Sequence, residues 1–150
     1  LGPYTVMASL DGIGLHGWQM LIARSLELAE YLKAKLARLD YCMVLNAETA
    51  GPTVVWWVLP KGRNAKQIYA DLEAGRVTAD DIERYTAEVR RLFNKRVYAM
   101  DPAIDARLSM TTDIGYRPHG HKIPGWKCAL FNPRTDEAVL DRLICSIEDL

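Results

Sequence analysis

His119 and His121 form a His-x-His pair, and on an extended segment that alternation aims both rings to one side. Two imidazoles could begin a metal site, but a metal needs a third ligand and groups that orient the first ones. The neighbouring residues signal neither, so no metal is expected. The stretch 115–125, rich in glycine, proline and histidine, reads instead as a loop, either over an active site or dimer contact or simply exposed. Cys42, Cys128 and Cys145 are odd in number and widely spaced, with no Cys-x-x-Cys. They read as reduced, buried structural thiols rather than nucleophiles, a zinc site or a disulfide framework. Gly12-x-Gly14-x-x-Gly17 has the spacing of a dinucleotide fingerprint but lacks the strand–turn–helix setting that gives the spacing its meaning. Trp56-Trp57 could stack on a base or a sugar, yet adjacent strand residues face opposite sides, so core packing is the expected role. His16, before Gly17, reads as a helix-end residue. No Ser/His/Asp set and no carboxylate pair stands out, and no catalytic residue is assigned.

The chain has 150 residues, close to the commonest size of one domain and long enough for a core. Its 19 Lys and Arg balance 19 Asp and Glu. A neutral chain has no electrostatic reason to prefer nucleic acid or anionic lipid, so neither is an expected partner. No apolar run approaches the ~18 residues of a membrane span, and the first residues lack the pattern of a signal peptide. With the cysteine usage, these features make cytoplasmic location the expectation. Leu1-Gly2-Pro3-Tyr4 does not read as a natural start, which raises an artificial end or a proteolytic cut.

The elements that must position these residues follow from periodicity. Residues 4–15 form a short helix weakened near its end by Gly12 and Gly14, and Gly17 resets the chain. From Trp18 to about residue 39, Leu21, Ile22, Leu28, Ala29, Leu32 and Leu36 recur at helical spacing. Arg24, Glu27, Glu30, Lys33, Lys35 and Arg38 lie opposite. A short apolar strand at 41–45 precedes the β-branched and aromatic run 53–59, a strand buried on both faces or nearly so. Asn64 caps a helix over 65–74 that Gly75 stops. Thr78 opens a capping box for a helix running to about Tyr98, with Ile82, Tyr85, Val89, Leu92 and Phe93 as its stripe. Residues 106–112 alternate like a half-exposed strand, 126–131 form another, and Thr135 caps a closing helix whose buried face is Val139, Leu140, Leu143, Ile144 and Ile147. The fold class is α+β: a small antiparallel or mixed sheet with helices packed on one face. Nothing in the chain is left to cover the other face, which points to a missing partner domain.

Four passages carry a family resemblance. Met7-Ala8-Ser9-Leu10 to Gly14, then Gly17-Trp18-Gln19-Met20-Leu21-Ile22, leads into the long helix; the strand at 53–59 follows; Trp126-Lys127 leads into Cys128-Ala129-Leu130-Phe131; and Asn132-Pro133-Arg134-Thr135 introduces the last helix. Together they resemble the carboxy-terminal small domain of pyridoxal-phosphate-dependent amino-acid decarboxylases of group II, the glutamate and aromatic-amino-acid type. The resemblance covers the whole chain but only about the last third of such an enzyme.

The resemblance implies residues 1–17 as the end of an interdomain helix region and 18–150 as the small domain, like that of fold-type I enzymes. It implies a lyase whose pyridoxal 5'-phosphate is held by an upstream domain, with none bound covalently by this chain. A homodimer and an amino-acid substrate follow as its partners. The family arginine near the substrate carboxylate corresponds here to Lys127, which keeps the charge and loses the planar fork; the alternative is a strand lysine that snorkels into solvent. His121-Lys122 has the letters of the family's cofactor motif in the wrong place and is not assigned that role. Aminotransferases and carbon–carbon lyases share this small domain, and a free-standing, non-catalytic self-association domain is the alternative of another class.

Overall fold

The structure of the chain is a computed structural model, which describes residues 2–101, 105–111 and 123–150 and, within 2–10, only the side chain of Ala8. Among these residues the order is α1 (Gly2–Leu36), β1 (Cys42–Val44), β2 (Thr53–Val58), α2 (Ala65–Glu73), α3 (Ala79–Tyr98), β3 (Leu108–Thr111), β4 (Gly125–Ala129) and α4 (Glu137–Glu148). The strands form one sheet in the order β1-β2-β4-β3 with every neighbour antiparallel. This is the expected α+β class, and it resolves the antiparallel-or-mixed alternative.

The sheet's register explains its two faces. Val44 pairs with Trp56, Trp56 with Trp126, and Trp126 with Met110, so these side chains share one face of the pleat. That face is the core. Trp56 and Trp126 are fully buried with ring centroids 6.2 Å apart. Phe93 of α3 meets Trp126 edge-on at 5.6 Å, and the indole N–H of Trp126 donates to the Val89 carbonyl at 3.1 Å. Leu28, Leu32 and Leu36 of α1 and Leu140, Leu143 and Ile147 of α4 complete the cluster. Trp57 points the other way and is also buried, edge-on to Tyr69 of α2 at 5.6 Å, its N–H donating to the Pro124 carbonyl at 2.6 Å. Both tryptophans therefore act as core residues, as expected.

Caps and turns set the element boundaries. The Asn64 side chain accepts from the Gln67 amide and the Thr78 hydroxyl from the Asp81 amide, so both expected caps are present. The last helix differs: its cap is Asp136, whose carboxylate accepts from the Val139 amide at 2.9 Å. Thr135 instead closes the turn before it, donating its amide to the Asn132 carbonyl at 3.0 Å. Gly17 does not reset the chain; the helix breaks at Gly14, whose φ of 69° and ψ of 169° lie outside helical space. Only glycine takes that conformation without strain. His16 thus lies inside α1, exposed, two residues past the kink. The third helix ends at its cap Ala99, before Asp101-Pro102.

Two side chains lie on the opposite side from the one that helical spacing assigns. Ile22, expected in the buried stripe of α1, is 48% exposed, whereas Lys33, expected on the outer face, is 7% exposed. The Lys33 ammonium donates to Glu30 and to the Ala47 and Thr49 carbonyls. It ties the 46–52 connection to α1, so its burial is offset by three hydrogen bonds. Asn46 holds the same connection from the other side, bonding the Thr53 carbonyl and the Val55 amide as an extra rung of the β1–β2 ladder.

Candidate functional site

Lys127 sits at the centre of β4, between Val55 on β2 and Ser109 on β3. Alternation puts it on the face opposite Trp126, together with Thr53, Val55, Ser109, Thr111 and Ala129. These residues are half-buried or exposed. Trp57 shares this face and is covered by Tyr69 of α2, so the face is half-buried or exposed only from Val55 and Lys127 outward. The Lys127 side chain is half-buried and makes no hydrogen bond or ion pair among the described residues. It is thus a partly exposed cation in the middle of the sheet. His119 and His121, the other candidates, lie outside the described residues.

Covalent attachment of pyridoxal phosphate needs a lysine amine with a free lone pair. Lys33 is the one lysine buried among the described residues, and all three of its N–H donors are engaged. An ammonium held in that way offers no free amine to a carbonyl. No group of three or more His, Cys, Asp and Glu among the described residues is arranged to hold a metal ion. No helix among them is long and apolar enough to cross a membrane.

The cysteines divide in two. Cys42 and Cys128 are buried, and burial pushes both thiols up to about 12. Cys145 corrects the expectation of three buried thiols, because it lies on the exposed side of α4. A thiol reagent at neutral pH is expected to label Cys145 quickly and to reach Cys42 and Cys128 only when the chain unfolds. Labelling with peptide mapping checks this; modification of Cys128 at the rate of Cys145 would contradict its burial.

The sequence reading missed one charged site. Arg96, on α3, is 3% exposed, pairs with Asp105 at 3.4 Å and leaves its Nε without a partner among the described residues. The signal was present: Arg96 falls four residues after Leu92 and three after Phe93, on the buried stripe.

A second polar seam joins the two terminal helices. Asp141 of α4 accepts from the Tyr31 hydroxyl at 2.8 Å and pairs with Lys35 at 3.0 Å, and these partners hold its carboxyl below the usual range. Arg24 reaches Glu137 along the same seam. All of these groups are solvent-accessible, so the seam aligns α1 and α4 more than it stabilises them.

No protein-family model matches the chain. Among solved structures, mouse CSAD in apo form matches with a TM-score of 0.65 and 17% identity, over 97% of this chain and 27% of that one. A second structure of mouse CSAD matches with a TM-score of 0.66 and 16% identity over the same shares. CSAD is cysteine sulfinic acid decarboxylase, a group II enzyme dependent on pyridoxal phosphate. At this identity the likeness is one of fold: the chain has the fold of a stretch that makes up 27% of that decarboxylase.

Proposed function

We propose that this chain is the carboxy-terminal part of a pyridoxal-phosphate-dependent amino-acid decarboxylase. The carrying observation is the fold match along 97% of this chain to only 27% of mouse CSAD. Two surfaces support the reading. On the sheet face that carries Lys127, the residues beyond Trp57 and α2 are half-buried or exposed. Between residues 13 and 22, α1 exposes Ile13, Leu15, Met20 and Ile22, and an apolar groove of about 570 Å³ runs beside Ile13, Gly17 and Met20. Apolar side chains gathered in this way mark a surface that another body covers.

In this reading the upstream part of the enzyme holds the cofactor, which supplies the electron sink for loss of the substrate carboxylate. This chain closes one wall of the site, residues 1–17 join the two parts, and the enzyme is a homodimer acting on an amino acid. Lys127 orients the substrate carboxylate as a point charge. Replacing it with methionine in the whole enzyme is expected to lower kcat/KM about tenfold or more, the worth of one charge-assisted hydrogen bond. Lys127→Arg restores most of the loss. Steady-state kinetics check this; an unchanged kcat/KM in Lys127→Met would remove the residue from the site.

The reading as a whole is tested by assaying the native gene product for carbon dioxide release from a panel of amino acids. Release that requires pyridoxal phosphate supports it. A product that forms stable oligomers, binds no cofactor and releases nothing would favour the self-association domain, which the apolar arm of α1 would also serve.

A further inference from the structure

An open recess of about 500 Å³ lies where the chain leaves α1 and where it enters α2, lined by Arg38, Asp40, Lys61, Arg63 and the half-buried Leu39 and Tyr41. The 60–64 turn is fixed locally. The Arg63 amide donates to the Pro60 carbonyl at 3.1 Å, and Gly62 has a φ of 87°, a conformation that a side chain resists. Lys61 and Arg63 are therefore presented from a defined turn rather than from a drifting loop.

The charge balance here departs from that of the chain. The protein is neutral overall, yet the recess is lined by three cations and one carboxylate, with the Lys66 ammonium 3.9 Å from Asp40 and the Glu148 carboxylate near Tyr41. Among the described residues Arg38 and Arg63 form no ion pair, and Lys61 donates to the Glu148 carbonyl. Cations gathered round one space repel, and an anion seated among them relieves that repulsion while gaining several contacts at once. Guanidinium groups suit phosphate oxygens, which they meet in pairs. The volume falls within the range of small-molecule sites.

We propose that this recess binds a small, multiply charged anion of the diphosphate or phosphate-ester class through Arg38, Lys61 and Arg63. The inference does not depend on the decarboxylase reading. Because the rim is open to water, binding weakens steeply as salt is added.

The test is titration calorimetry of the chain with inorganic pyrophosphate at low ionic strength. Saturable binding is expected, and Arg38→Gln/Arg63→Gln weakens it at least about tenfold, since each charged contact is worth tenfold or more. Arg90→Gln/Arg91→Gln, on the exposed side of α3, removes the same charge and leaves the affinity unchanged. Circular dichroism confirms that both variants fold. No saturable heat with the unaltered chain, no loss in the first variant, or equal loss in both would overturn the proposal.

Discussion

Trp126→Ala is expected to destabilise the chain by about 3–5 kcal/mol, the range for deleting a large aromatic from a packed core. Trp126 is completely buried, touches both Trp56 and Phe93, and spends its one polar group on the Val89 carbonyl. It therefore joins β4, β2 and α3 in a single contact set. Alanine would leave a cavity between sheet and helix and would remove the second hydrogen bond that the Val89 carbonyl accepts. A fall in Tm of roughly 10 °C follows for a domain of this size. Urea unfolding that shows a lower midpoint at unchanged m would confirm a loss of core packing. A change below about 1 kcal/mol would mean that the core collapses around the gap.

Asp105→Ala is expected to cost about 3 kcal/mol or more, because it strands the Arg96 guanidinium in the interior. Asp105 has a second duty, accepting from the Asp101 amide at 2.9 Å, so its carboxylate holds both the charge and the turn after α3. Arg96→Met/Asp105→Ala should recover at least half of the loss, since an apolar chain of similar length needs no counter-charge. Denaturation of the single and double variants separates the two effects. Equal stability for Asp105→Ala and the unaltered chain would show that water reaches the guanidinium.

What could be read from sequence was whatever depends on neighbours within a few residues. The helix over residues 79–98 was legible because Thr78 and Asp81 form a local cap and the apolar stripe repeats five times. The strand Thr53–Val58 was legible because six β-branched or aromatic residues lie between proline-bearing turns. The Asn132 turn was legible as well, since its side chain bonds two residues ahead. Lys33 was misread because helical spacing gives the outward angle of a side chain but not what passes over it. The 46–52 connection crosses that face, and its carbonyls draw the ammonium inward. Ile22 failed for the opposite reason: its angle was right for a buried stripe, but no element of the described chain reaches that far along α1. The helix break moved from Gly17 to Gly14 because spacing alone cannot tell which glycine takes positive φ.

The candidate site was less legible than the fold. Lys127 is conspicuous in sequence only beside a family pattern, and its place on the face opposite Trp126 comes from a register set by β2 and β3, both distant in the chain. Arg96 shows the reverse. Its position on the apolar stripe was readable, but its partner Asp105 depends on how the chain turns after α3.

Borohydride reduction of the native gene product in its source cells, followed by intact-mass measurement, tests the central claim most directly. A mass well above 16.9 kDa that carries a reduced pyridoxyl-phosphate adduct is the predicted result. A native mass near 16.9 kDa with no adduct would contradict it.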